Sequence, residues 1–209
     1  MLTIALAALA LLVGALAARF RTRGPLSLYR VAKPAAMVLI ILAAAVRPGG
    51  PTPYKTLVLA GLLGSLAGDV FLMLDKKWFP AGLGCFLAAH GFYILAFRPS
   101  PDRPATMGTL LPFLVFGLLM FRTLAPNLGK LKLPVLGYIA AITAMAWFAA
   151  ARFIEIGSWR TLAALAGAML FLASDAVLAY ARFVRDFTSA QLFILGAYFP
   201  AQLLIALSV

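Results

Sequence analysis

The sequence predicts an all-α fold: a polytopic integral membrane bundle of eight transmembrane helices. Three observations carry this reading. Of 209 residues, 64% are hydrophobic and only 11% are charged, whereas a soluble domain carries about 45–50% and about 25%. The mean hydropathy is +1.02. Finally, the apolar residues come in runs of membrane length, separated by short charged or Pro/Gly-rich breaks. The apolar excess, the lack of a glycine period and the single Cys85 exclude disorder, a collagen-like chain and a disulfide framework.

A span of ~30 Å of hydrocarbon takes about 20 helical residues. Eight runs qualify: Leu2–Ala18, Leu28–Val46, Thr56–Leu74, Pro80–Phe97, Thr106–Phe121, Leu133–Ala150, Arg160–Tyr180 and Ser189–Val209. The first resembles a signal peptide around Ala15-Leu16-Ala17, but its arginines (Arg19, Arg21, Arg23) follow the apolar stretch instead of preceding it. It is therefore expected to remain as helix one. The connections are short, so residues 1–209 are expected to form a single transmembrane domain.

Charge sets the expected orientation. Eighteen Lys and Arg stand against six carboxylates, a net charge of +12. The loops after runs one, three, five and seven, together with Arg30 and Lys33 at the start of run two, hold 12 of those 18 bases, which positions them in the cytoplasm and both termini outside. The chain is thus expected in a bacterial inner membrane. Bases set singly between apolar runs face lipid headgroups, and nucleic acid is not an expected partner.

Runs three and seven share a pattern. Leu66-Ala67-Gly68-Asp69-Val70-Phe71-Leu72 matches Leu172-Ala173-Ser174-Asp175-Ala176-Val177-Leu178 at four of seven positions. If this is a repeat and not coincidence, the bundle comprises two parallel four-helix halves. Asp69 and Asp175 are also the only carboxylates well inside the spans, where each costs at least ~2.5 kcal/mol on insertion. Each lies five residues before the expected end of its run, at Leu74 and Tyr180, so both sit at one depth. Carboxylates that meet there leave an acid and a base together at neutral pH. The alternative has each Asp in its own structural hydrogen-bond network. Asp75, Asp102, Glu155 and Asp186 fall at span ends or in loops.

Other polar and small residues accompany the aspartates inside the spans. Gly61 and Ser65 lie on the face of Asp69, and Gly64 and Gly68 form a GxxxG suited to close packing. Run four carries the only histidine, His90, with Tyr93 one turn on. One His without Cys or a second His does not make a zinc site, an Asp-plus-His set being the weaker metal alternative, and no cofactor is expected. Gln191, Tyr198 and Gln202 share a face of run eight. Lys33, before Pro34, either snorkels or opposes a carboxylate or a phosphate. P-loop, GxGxxG, GxSxG and HExxH motifs are absent.

Taken together, Lys33-Pro34, Gly64-Ser65-Leu66-Ala67-Gly68-Asp69, Phe86 to Tyr93, Phe171-Leu172-Ala173-Ser174-Asp175 and Tyr198-Phe199-Pro200-Ala201-Gln202 resemble the YhhN family of membrane proteins, whose characterised animal members are lysoplasmalogenases. The resemblance runs from Lys33 to the chain end. It implies an eight-helix bundle that cleaves the vinyl ether bond of a lysophospholipid to a fatty aldehyde and a glycerophospho-headgroup. It also implies that Asp69 and Asp175 are catalytic, with His90, Tyr93 and Gln202 lining the pocket. Ser65, Ser174 and Tyr198 join them as candidate substrate contacts. Lys33 and the loop bases Lys76, Lys77, Arg182 and Arg185 are candidates for the phosphate. A proton-coupled transporter or flippase would use the same Asp/His/Lys set. An intramembrane aspartyl protease would also use two Asp, but Leu66-Ala67-Gly68-Asp69 lacks the first Gly of GxGD.

Overall fold

The computed structural model describes residues 1–49, 52–98 and 108–209. Among them are eight helices long and apolar enough to cross a membrane. They are α1 (Leu2–Arg23), α2 (Leu26–Ala45), α3 (Pro53–Met73), α4 (Phe79–Phe97), α5 (Leu110–Leu124, carried on to Asn127 by a 3₁₀ turn), α6 (Lys132–Ile156), α7 (Trp159–Phe183) and α8 (Ala190–Leu207). No strand occurs among the described residues.

Local chemistry explains several boundaries. The Thr52 hydroxyl caps α3 by accepting from the Lys55 amide, with Pro53 opening the helix. A reciprocal Ser158–Thr161 capping box starts α7, and Gly157, at φ 65°, ends α6 in the left-handed conformation that glycine adopts freely. Several ends differ from expectation; α6, for one, runs to Ile156, past the expected Ala150. Helix α1 continues through Arg23, because arginine is a good helix former and its charge suits a helix C-terminus. Helix α5 begins at Leu110 and ends at Leu124, so it sits later in the chain than the run predicted, whose start at Thr106 lies outside the described residues, as does Asp102.

The helices pack as hairpins α1–α2, α3–α4 and α7–α8, and the ring closes through α2–α3, α6–α7, α4–α6 and α2–α8. This neighbour scheme repeats. In the first half α3 lies between α2 and α4, and α4 reaches α6; in the second α7 lies between α6 and α8, and α8 reaches α2. The neighbour scheme agrees with two four-helix halves, with one departure: α1 packs on α8, whereas α5 rests chiefly on α6. Its Leu111, Leu114, Leu118 and Leu119 are exposed and are placed to meet lipid acyl chains.

Small residues set the closest approaches. A Cβ on Gly61 would come within 2.3 Å of the Tyr93 ring, and one on Gly68 within 2.6 Å of Phe86. Gly167 plays the corresponding part on α7, with the Ala201 carbonyl of α8 at 2.8 Å from its would-be Cβ. The same chain spacing separates Gly61 from Gly167 as Asp69 from Asp175. Each glycine seats the partner helix of its hairpin and sets the depth at which the nearby Asp is held.

Candidate functional site

Asp69 lies one turn from the end of α3 and is 1% exposed. A bare carboxylate at that burial is prohibitive, so its partners define it. Lys33 Nζ of α2 approaches Oδ1 to 2.8 Å. The Tyr198 hydroxyl of α8 donates to Oδ2 at 2.7 Å, and the Lys33 ammonium lies 5.8 Å from the centre of the same tyrosine ring. Lys33 does not snorkel. Its helix starts at Leu26, ahead of the expected boundary, and continues through Pro34, so Lys33 falls inside the span and faces the bundle interior.

Asp175 lies two turns from the end of α7, so the two carboxylates are not equally far from their helix ends. Helix α6, which packs against α7, supplies the Tyr138 hydroxyl, which donates to Oδ2. His90 of α4 holds Nε2 at 3.9 Å from the same oxygen, its ring edge-on to Tyr138 at 5.0 Å. The two environments mirror the repeat. Each Asp takes one neighbour from the preceding helix, Lys33 or Tyr138, and one from the far half, Tyr198 or His90. The symmetry is broken chemically, with an ammonium at Asp69 and a phenol at the same place beside Asp175.

Both aspartates line one cavity of about 450 Å³. Lys33, Tyr198 and Phe86 also form its wall, and Arg21, Arg30, Arg182, Asp186 and Gln191 stand toward its mouth. This mouth is built from the C-terminal ends of α1, α3 and α7 and the N-terminal ends of α2, α4 and α8. A small apolar pocket of about 40 Å³ adjoins it between α4, α5, α6 and α7, sharing Phe86, Asp175, Leu178 and Arg182 and adding Leu83, Val135 and Ile139.

The other candidate residues separate into groups. Ser65, His90, Tyr93 and Gln202 are wholly buried and do not form the cavity wall. They occupy a layer beneath it, where the Tyr93 hydroxyl donates to Gln202 Oε1 at 2.9 Å. Ser174 is turned to α8, donating to the Ile194 carbonyl at 3.0 Å. Of the loop bases only Arg182 reaches the cavity; Lys76, Lys77 and Arg185 do not. Sequence reasoning missed Tyr138, Arg21, Arg30 and the cavity position of Asp186. Tyr138 had a faint signal, since it lies on α6 within one residue of the place that corresponds to Lys33 on α2. Cys85 is a free, half-buried thiol. Among the described residues no three His, Cys, Asp or Glu side chains gather as metal ligands.

The sequence profile of the YhhN family matches residues 28–209. The chain belongs to the YhhN family. Among its relatives, lysoplasmalogenase TMEM86A of Bos taurus is 35% identical over 161 residues, which cover 75% of this chain and 66% of the relative. Lysoplasmalogenase TMEM86B of Rattus norvegicus is 34% identical over 176 residues, covering 82% and 68%. The match thus spans about two thirds of the length of these animal YhhN relatives. A bacterial YhhN relative, the uncharacterized membrane protein YhhN of Escherichia coli O157:H7, is 27% identical with 89% of each chain covered. No solved structure matches this YhhN chain.

Proposed function

We propose that this YhhN-family chain is a membrane-embedded hydrolase that cleaves the vinyl ether bond of a lysoplasmalogen, releasing a fatty aldehyde and a glycerophospho-headgroup. The observation that carries the reading is the pair of buried carboxylates with unlike partners on the wall of one cavity. A basic mouth for phosphate and an apolar flank for an alkyl chain add to it, and so do the names of the animal relatives.

The unlike partners suggest the roles. Lys33 pairs with Asp69 and holds it as a carboxylate. Asp175 has a phenol on one oxygen and no ammonium bonded to it, so it is the group to carry an exchangeable proton. Asp175 delivers that proton to the distal vinyl carbon. The electron pair of the C=C bond forms the new C–H bond, and the ether oxygen shares the positive charge of the resulting oxocarbenium ion. The Asp69 carboxylate steadies this charge. Water then adds to the carbon bearing oxygen and returns a proton to Asp175. Collapse of the hemiacetal releases aldehyde and alcohol. Two carboxylates in unlike settings serve glycoside hydrolysis in a related way, although the proton there goes to oxygen.

The mouth is read as cytoplasmic, in a bacterial inner membrane with both termini outside, because it gathers Arg21, Arg30 and Arg182 from the base-rich side. Single cysteines at Lys130 and Lys55 in a Cys85→Ala background test this. A membrane-impermeant maleimide is expected to label only the second in intact cells.

Purified protein incubated with lysoplasmenyl-ethanolamine and followed by mass spectrometry decides the activity. Loss of vinyl ether with release of aldehyde is expected. Lipid uptake into vesicles with no chemical change marks a transporter and overturns the reading. Normal turnover by Asp69→Asn or Asp175→Asn overturns the mechanism.

A further inference from the structure

Beneath the cavity, four buried polar atoms have no hydrogen-bond partner: Ser65 Oγ, both ring nitrogens of His90, and Gln202 Nε2. All three residues are fully shielded. Each lies one helical turn from a cavity-wall residue on its own helix: Ser65 from Asp69 on α3, His90 from Phe86 on α4, and Gln202 from Tyr198 on α8. Helices α4 and α8 run inward from the mouth while α3 runs toward it, so all three steps lead deeper. Three helices from both halves of the bundle therefore bring unpaired groups to one level.

Shared neighbours tie the level together. The Tyr93 hydroxyl binds Gln202 Oε1, and the Tyr93 ring packs on Gly61, one turn from Ser65 on α3. The Phe171 ring touches both His90, at 4.9 Å, and Tyr93, at 6.5 Å. The level's upper edge meets Asp175, since His90 Nε2 stands 3.9 Å from Asp175 Oδ2, beyond direct hydrogen-bond reach.

The chemistry of these groups selects a ligand. A hydroxyl, a neutral imidazole and an amide N–H₂ offer both donors and acceptors and no net charge. An alkyl chain would leave all four atoms unpaired, and an ion would find no countercharge among them. Water satisfies a mixed set, and a buried water takes two to four such partners. We propose that Ser65, His90 and Gln202 hold a small internal water site under the aspartates, and that it supplies the water that adds to the oxocarbenium carbon. A lipid headgroup seated among the mouth arginines closes the path from bulk water, so the nucleophile comes from below. In that step the water oxygen bonds carbon, and its proton passes to the Asp175 carboxylate, restoring the acid. His90 is then a positioning residue that orients water toward Asp175 without touching the lipid. The water site stands on the geometry alone; its catalytic use rests on the hydrolase reading.

The test is X-ray hydroxyl-radical footprinting of the full chain in detergent, in which radicals formed from bound water label the side chains beside it. Tyr93 is expected to label despite its full burial, while Met145, equally buried and deeper on α6, does not. In Ser65→Ala/Gln202→Leu the Tyr93 labelling should fall at least fivefold, and Ser65→Ala alone gives a smaller fall if the double variant does not fold. Equal labelling of Tyr93 and Met145, or labelling unchanged in the variants, overturns the site. In the lipid assay the same variants should lose at least tenfold in kcat with KM within twofold. Labelling lost with kcat unchanged overturns the supply role. If the unaltered protein cleaves no lysoplasmalogen, the hydrolase reading fails while the labelling still decides the site.

Discussion

Lys33 of α2 and Asp69 of α3 form an ion pair of 2.8 Å with both side chains shielded, 8% and 1% exposed. Such a pair is poorly replaced by half of itself, because the surviving charge stays buried and alone. Lys33→Met should therefore destabilise the bundle by about 3–5 kcal/mol, while Lys33→Met/Asp69→Asn recovers much of that loss. Thermal unfolding of the three proteins in one detergent checks this, and a double variant no more stable than the single would contradict it.

The two tyrosines on the carboxylates should not be equivalent. Tyr198→Phe leaves Asp69 with Lys33 still bonded. Tyr138→Phe takes from Asp175 the hydroxyl donor that orients it. As Asp175 gives up its proton it becomes charged, and a hydrogen bond to a charged group is worth about 1.5–3 kcal/mol, so Tyr138→Phe is expected to lower kcat by roughly ten- to a hundredfold. Tyr198→Phe should lower it less. Steady-state kinetics on one lysolipid substrate compares them directly.

Glycines on α3 and α4 should respond oppositely to one added methyl. Gly61→Ala and Gly68→Ala drive a Cβ against Tyr93 and Phe86, and overpacking costs about 1–3 kcal/mol. Gly84→Ala and Gly91→Ala meet open space and gain up to about 1 kcal/mol of helix propensity. Melting temperatures of the four variants should split two down and two level or up.

The mouth arginines should act on binding alone. Arg30→Ala and Arg182→Ala remove cations from the cavity rim and should each raise KM for a lysophospholipid about tenfold, in line with a charge-assisted hydrogen bond weakened by solvent. The effect should shrink at high salt with kcat retained. Arg122→Ala, a base on the same side but off the cavity, serves as the control.

How far the sequence alone reaches is clear residue by residue. The eight spans, the base-rich side, the parallel relation of α3 and α7 and the prominence of Asp69 and Asp175 were all legible. Polar groups are rare in apolar helices because insertion penalises them, so each survivor is conspicuous. The partners were not legible. A hydropathy pattern records whether a residue avoids lipid or water, but not which helix lies opposite. Lys33 read equally as a snorkelling cation until α2 was seen to run through Pro34 into Asp69. Tyr138 looked like any aromatic of an apolar span, and Arg21, Arg30 and Asp186 like ordinary helix-end charges. A charge at a helix end has the same local sequence whether it faces headgroups or a cavity. His90, Tyr93 and Gln202 were expected on the pocket wall, yet they form the layer beneath it because they sit one or two helical turns deeper than the wall residues Phe86 and Tyr198 of their own helices. The sequence by itself thus determined the membrane class and the two aspartates, through the cost of burying charge in hydrocarbon. Only the tertiary structure decided that one aspartate faces an ammonium and the other a phenol, because that difference arises where helices far apart in the chain meet.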